Sequence, residues 1–178
     1  MPNRFPCEIG LNDGSRILLR RLTSGDGQAL YDFFQRWPAG LRRLAWEDLD
    51  NRELIESWAA DIDNESSLPL VAVDGSKIIA ETTLNYRDRG PLRLVGRVRW
   101  FIDPDYRGRG LASSLAAQLI DVGRNNGLRY LSCTLATRFE DRDIQALESR
   151  GFVATHFPDY GTDPDGAPED LVYLTCRL

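Results

Sequence analysis

The stretch from Leu94 to Gly127 limits what this chain can fold into more than any other. Leu94 to Ile102 reads as a strand, Asp103-Pro104-Asp105-Tyr106 as a hinge, and Arg107-Gly108-Arg109-Gly110 as a glycine loop. Leu111, Leu115 and Leu119 then recur every four residues, with Ala112, Ala116 and Ile120 beside them, which is the apolar stripe of a helix. Asn125-Asn126-Gly127 stops that helix, with Gly at the left-handed C′ position. Tyr130 to Ala136 is a second apolar strand. Two strands joined by a crossover helix run parallel in one sheet.

A loop of this kind points backbone N–H groups and the positive end of a helix dipole at one spot, which suits a phosphate. Gly108 and Gly110 allow close approach, and Arg107 and Arg109 add charge-assisted donors. A Walker loop needs Lys-Ser/Thr after its last Gly, whereas Leu111-Ala112 follows here. A dinucleotide fingerprint needs a third Gly where Ser113 stands. By itself the loop also fits an ordinary strand–turn–helix, so its surroundings decide.

Ile17 to Leu22 reads as a first strand, entered through the turn Asn12-Asp13-Gly14. Asp26 starts a helix whose stripe is Leu30, Phe33, Phe34 and Trp37, ending before Pro38. A second helix begins near Asp50, with Glu53 completing a capping box and Leu54, Ile55, Trp58, Ala59 and Ile62 inward. Leu68 to Val73 and Lys77 to Tyr86 flank Asp74-Gly75-Ser76 as a hairpin. After Tyr130 to Ala136 come a helix over about Glu140 to Arg150 and two strands, Phe152 to His156 and Leu171 to Leu178. The order is β-α-α-β-β-β-α-β-α-β-β, spread over 1–178 as one domain.

Composition narrows the classes further. The chain of 178 residues has no apolar run long enough to span a membrane, and its first residues, Met1 to Pro6, do not resemble a signal peptide. Cys7, Cys133 and Cys176 share no close spacing and read as reduced thiols of a cytoplasmic protein. With His156 as the single histidine, a His-based triad or a metal site is not expected. A net charge of −5 argues against general nucleic-acid binding and favours cationic partners.

Arg-x-x-Gly-x-Ala over Arg107 to Ala112, with Asp-Pro-x-Tyr just ahead, resembles the acyl-CoA-binding motif of the GCN5-related N-acetyltransferases (GNAT). The element order over nearly the whole chain and Gly151-Phe152 after the last helix resemble the same family. Asp159 to Leu178 resembles its protein-lysine and acyl-CoA-synthetase branch. The resemblance implies a mixed, mostly antiparallel seven-stranded sheet flanked by about four helices. It also implies a bulged strand before the loop that splays from its parallel neighbour and admits the pantetheine arm. Acetyl-CoA is then the acyl donor, with no metal, held by Phe101, Ile102, Arg107, Gly108, Arg109, Gly110, Leu111, Ala112 and Ser113. Its acceptor is an amine, either a small molecule or a protein lysine, and the sequence leaves open whether the chain is a monomer or a homodimer. Arg42, Arg43, Trp46 and Glu47, between the first two helices, are implied acceptor contacts.

The acid–base residues carry over poorly. A lysine-like amine has a pKa near 10.4, so about one molecule in two thousand is neutral at pH 7 and a base is needed. The family's usual Glu aligns with Arg97, which cannot accept a proton. Its usual Tyr aligns with Leu147, and its helix-start Asn with Glu140. Glu81, on the neighbouring strand, is the first substitute base and Glu140 the second. Each also has an ordinary structural reading, as a strand-face carboxylate and as a helix-start acid. Tyr160 or Tyr106 could serve as acid, with Tyr106 also suited to packing under the loop, and His156 reads as structural. The acidic run Asp159, Asp163, Asp165, Glu169 and Asp170 is either a solvated turn or a lip that attracts a cation. A non-catalytic acyl-CoA sensor of the same fold is the alternative function.

Overall fold

Eight strands form one sheet in this computed structural model, which describes residues 5–178, Leu44 and the side chain of Phe139 excepted. They are β1 (Cys7–Gly10), β2 (Arg16–Arg21), β3 (Ser67–Asp74), β4 (Lys77–Asn85), β5 (Val95–Ile102), β6 (Tyr130–Ala136), β7 (Val153–Thr162) and β8 (Pro168–Arg177). The helices among the described residues are α1 (Gly27–Gln35), α2 (Ala39–Arg42), α3 (Arg52–Ala60), α4 (Leu111–Asn125) and α5 (Thr137–Glu148). The spatial order is β1-β2-β3-β4-β5-β6-β8-β7, and β5–β6 is the parallel pair. No helix among the described residues is long and apolar enough to cross a membrane. Met1 to Arg4, part of the stretch read for a signal peptide, lie outside the described residues.

The sheet is buried on both faces near its centre. Trp100 and Phe101 are neighbours in β5 yet belong to different cores, because successive strand residues point to opposite sides. Val98, Trp100 and Ile102 pack with Leu111, Leu115 and Leu119 of α4. Phe101 packs with Leu30, Phe33 and Phe34 of α1, with Trp37 just beyond that helix, and with Ile55 of α3. The helical stripes seen in the sequence are therefore core stripes. Each fully buried Leu or Phe contributes about 1.5–3 kcal/mol.

Several boundaries differ from expectation, each for a local reason. The eighth strand is β1, four residues too short to show a period, which pairs Cys7 with Leu19 across the Asn12-Asp13-Gly14 turn. α1 stops at Gln35, short of the expected Trp37, and Pro38 is the N-cap of α2, a one-turn helix the stop signal concealed. The cap of α3 is Asn51, whose side chain accepts from Leu54 N at 3.0 Å. Asp26 does not cap α1 with its side chain. It accepts from Thr23 N at 2.8 Å and takes both arms of Arg20 at 2.7 Å. The stretch after His156 is not a long turn: β7 runs on to Thr162 and β8 begins at Pro168, with an irregularity between Phe157 and Gly161.

What positions the site is the parallel pair. Its ladder has three steps, Val95↔Tyr130, Gly96↔Leu131 and Arg97↔Ser132. Beyond Arg97, β5 stays with β4 up to Ile102, while β6 stays with β8 up to Ala136. A wedge-shaped gap opens between them. The expected bulge in β5 is absent from its ladder with β4, whose register is unbroken from Asn85↔Arg97 to Ala80↔Ile102. The strands part by divergence instead. Gly96 fixes where they meet: a Cβ there would lie 2.6 Å from Leu84 and 2.9 Å from Leu131 side-chain carbons.

Candidate active site

The wide end of the gap is closed by the glycine loop. Asp103 is 2% exposed and anchors the turn before it, accepting from Asp105 N at 3.1 Å and pairing with Arg36 at 3.2 Å and Lys77 at 3.3 Å. Tyr106 lies under the loop, its hydroxyl donating to Asp74 at 2.7 Å and its ring 4.6 Å from the Arg109 guanidinium. Its hydroxyl is thus tied down away from the gap. Gly108 and Gly110 have φ of 76° and 87°, and α4 starts at Leu111, so the N–H groups of Leu111, Ala112 and Ser113 lack intrahelical partners. This is a helix N-terminus built for an anion.

More arginine gathers here than the motif shows. Arg150 Nε donates to Ser113 Oγ at 2.6 Å, and Arg142 Nη1 lies 3.1 Å from where a Gly108 Cβ would sit. Arg142 lies midway along α5 and Arg150 just beyond its end, and the α4–α5 packing brings them to the loop. Arg107 turns inward, 10% exposed, with its guanidinium 5.4 Å from the Trp37 ring and its Nε 3.4 Å from Asp143 Oδ2. The β1–β2 turn also docks on the loop. Asn12 N donates to Arg109 O at 2.9 Å, Asp13 pairs with Arg109 at 2.6 Å, and the Asn12 carboxamide fills the space beside Gly110. That space had read as open for a ligand. Hydrogen bonds from Ser15, then Arg109, hold the Asp13 carboxyl far below the usual range.

The two carboxylates picked from the sequence have different surroundings. Glu81 faces the α1–α3 side and is fully buried. Its Oε1 accepts from Thr83 Oγ1 and from Arg99 Nη2 at 3.0 Å, and its Oε2 from Arg99 Nε at 3.3 Å. Glu140 reaches back to accept from Ala136 N at 2.7 Å and so caps α5. Burial, followed by the charges of Asp143 and Glu169, pushes its carboxyl up to about 7. Burial also pushes Asp143 up to about 6, although Arg107 opposes it. Sequence reading missed Asp143, which shares a helix face with Glu140 three residues earlier.

The remaining candidates separate cleanly. Arg97 is exposed at the last paired step, and Leu147 is a core residue, 1% exposed. Tyr160 is 74% exposed against Phe157, and His156 is exposed on the edge strand. The acidic run is largely self-occupied. Asp163 accepts from Asp165 N and Ala167 N and pairs with Arg138, Glu169 pairs with Arg138, and Asp170 accepts from Asp159 N. The four implied acceptor contacts do come together. Arg42, Arg43, Trp46 and Glu47 line a cavity of about 270 Å³ with Asp48, Asp50 and Pro164, and Arg43 ties it to Asp165 at 2.9 Å. Among the described residues, no group of three or more His, Cys, Asp or Glu could hold a metal.

A splayed parallel pair, a phosphate-ready helix start and an adjoining side cavity define an acyl-CoA-dependent N-acyltransferase. The acetyltransferase (GNAT) family model matches residues 28–152, and the chain belongs to that family. A curated relative, acetyltransferase PA5475 of Pseudomonas aeruginosa, is 29% identical over 168 residues, 85% of this chain and 83% of its own. The GNAT domain of PAT from S. lividans superposes with a TM-score of 0.78 at 17% identity, covering 100% of this chain and 99% of that one. The ribosomal-protein-S5-alanine acetyltransferase of Vibrio fischeri gives 0.77 at 18%, with 96% of each chain covered. The structure of yncA from Salmonella typhimurium with its cofactor acetyl-CoA gives 0.75 at 20%, covering 92% and 95%.

Proposed function

We propose that the chain transfers an acetyl group from acetyl-CoA to a primary amine, on a small molecule or a protein lysine, by direct attack on the thioester. The observation that carries this is the gap that opens beyond Arg97 and Ser132 and ends at the glycine loop. From Arg97 to Ile102 is five strand steps, roughly 17 Å, enough to lie beside an extended pantetheine arm. Backbone groups of Phe101 and Ile102 that lack a β6 partner offer hydrogen bonds to its amides. The N–H groups from Gly108 to Ser113 take the pyrophosphate, with Arg107 and Arg109 of the motif and Arg142 and Arg150 beside it adding charge. Arg109 must leave Asp13 to do so. The residues present therefore fit the donor.

Burial of Glu81 and the position of Glu140 favour supporting roles for both over direct proton transfer. Glu81 has no exposed surface, and Glu140 is bound at Ala136, roughly 13 Å of strand beyond the last paired step. Glu81 serves by holding Arg99, and Glu140 by capping α5. Calorimetric titration with acetyl-CoA, followed by thiol-release turnover on a panel of amines and lysine-bearing proteins, tests the reading. Acetyl-CoA at a hundred times its Kd should stabilise the fold by about 2.7 kcal/mol. No binding at millimolar acetyl-CoA would overturn it. Arg97 and Leu147, where an acid–base pair is usual, favour one rival, a binding-only sensor. Tight binding without turnover on any amine would select that rival.

A further inference from the structure

Glu47 lies in the segment between α2 and α3, on the side of β5 covered by α1 and α3. Its Oε1 is 4.0 Å from Arg99 Nη1, and its Oε2 is buried with no hydrogen-bond partner among the described residues. The side chain as a whole keeps 32% of its surface exposed and lines the cavity of about 270 Å³. A carboxylate with an unused oxygen and an open side is in the reverse situation from Glu81.

The neighbour of Glu47 is held rigidly. Arg99 Cζ sits 3.8 Å over the Trp58 ring, and its Nε and Nη2 are committed to Glu81. Nη1 therefore turns toward Glu47, at a separation too long for a hydrogen bond but short enough for attraction. Arg99 is two residues past Arg97, where the β5–β6 ladder ends, and strand alternation puts both side chains on one face. Glu47 is thus set beside the mouth of the gap, where acceptor and thioester must meet. Of the other charged groups in the cavity wall, Arg42 pairs with Asp50 and Arg43 with Asp165, so Glu47 and Asp48 face the cavity as its acidic side, which suits an incoming ammonium.

We propose that Glu47 is the residue that takes the proton from the acceptor amine, with Arg99 and Glu81 as its positioning residues. The inference rests on the acetyltransferase reading above. The ammonium nitrogen must lose two protons in becoming an amide. The first goes to the Glu47 carboxylate, directly or through one water, and passes to solvent through the cavity. The freed lone pair forms the C–N bond at the thioester carbonyl carbon. When the C–S bond breaks, its electron pair leaves on sulfur, and the second nitrogen proton reprotonates that thiolate. No oxidant, metal or covalent enzyme intermediate takes part.

The test uses an amine that the wild type turns over. Glu47→Gln keeps the shape of the side chain and removes its basicity. Its kcat should fall roughly 10²–10⁴-fold at neutral pH, with the deficit shrinking as pH approaches the amine pKa. Acetyl-CoA affinity should be unchanged by calorimetry. Asp48→Asn, in the same cavity wall, should act on KM for a cationic acceptor and leave the pH profile of kcat in place, as attraction without proton transfer would. Added formate should restore part of the activity of Glu47→Ala. An active wild type with a Glu47→Gln variant of equal kcat and the same pH profile would overturn this assignment alone. A wild type that binds acetyl-CoA yet turns over no amine would overturn the acetyltransferase reading and this assignment with it.

Discussion

Replacing Glu140 by Gln should stabilise the protein at alkaline pH and do almost nothing near pH 4.5. In the folded chain the carboxyl is pushed up to about 7 from its ordinary 4.5, first by burial and then by Asp143 and Glu169. The folded state therefore holds the proton more tightly than the unfolded state. That contribution is fully present below the ordinary value and is lost as pH rises through about 7. At about 1.4 kcal/mol per pH unit, the span corresponds to about 3 kcal/mol. A Gln oxygen can still accept the Ala136 N–H, so the cap survives while the buried charge disappears. Because Asp143 titrates beside it in the same direction, roughly 2–3 kcal/mol is the expected gain at pH 8. For a chain of this length that is about 5–10 °C in Tm. Urea unfolding of both proteins at pH 4.5, 6 and 8 measures it. A difference that stays constant across those three values would show that Glu140 is not carrying a buried charge. A drop in kcat of a hundredfold or more would show that it acts in proton transfer.

Gly110→Ala should destabilise the fold by about 1–3 kcal/mol and weaken acetyl-CoA binding, since φ is 87° there and the Asn12 carboxamide occupies the Cβ position. Melting curves with and without acetyl-CoA would check both halves, and an unchanged Tm would refute the crowding. Asp13→Asn removes the competitor for Arg109 and should tighten acetyl-CoA binding, up to about fivefold at low salt. Affinity that weakens instead would mean that Asp13 organises the loop rather than competing for its charge. The Cys133 thiol, 2% exposed and pushed up to about 12 by burial and by Glu140, should resist iodoacetamide at pH 8 in the native state, while the half-buried Cys7 reacts first. Mass-spectrometric mapping that found Cys133 labelled early would contradict the packing around it.

The centre of the fold was legible because its signals are local and repeated. A four-residue leucine period, a glycine loop and a following apolar strand fix a parallel pair with little freedom. Tyr130–Ala136 appears as a strand with the bounds that the sequence suggested. Elements without a period were not legible. Four residues of β1 carry too little alternation, and β7 reaches Thr162 because Gly161 and Thr162 pair with Glu169 and Pro168 of β8. Such pairing is set by a strand some ten residues further on, which no local window contains. The opening between β5 and β6 is similar. Nothing inside β5 announces it, because the strand is regular against β4 and simply loses its partner after Arg97.

The site shows the same division more sharply. The glycine loop is a contiguous motif, and its glycines, helix start and two arginines could be named from the chain alone. Arg142 and Arg150 could not, since they reach the loop across the α4–α5 packing. Nor could the fate of the carboxylates. In the sequence Glu81 and Glu47 are two acidic residues among many, and Arg99 separates their roles. It is held over Trp58, closes both Glu81 oxygens and leaves a Glu47 oxygen without a partner among the described residues. On the proposal made above, an arginine at position 97 has a physical reading. A base on β5 is dispensable if an arginine two residues along the same face attracts a loop carboxylate to the same mouth. On that proposal the acid–base function sits off the strand, on the segment proposed to meet the acceptor. In that arrangement a change of acceptor and a change of proton route would be made in one stretch of chain, between Arg42 and Asp50.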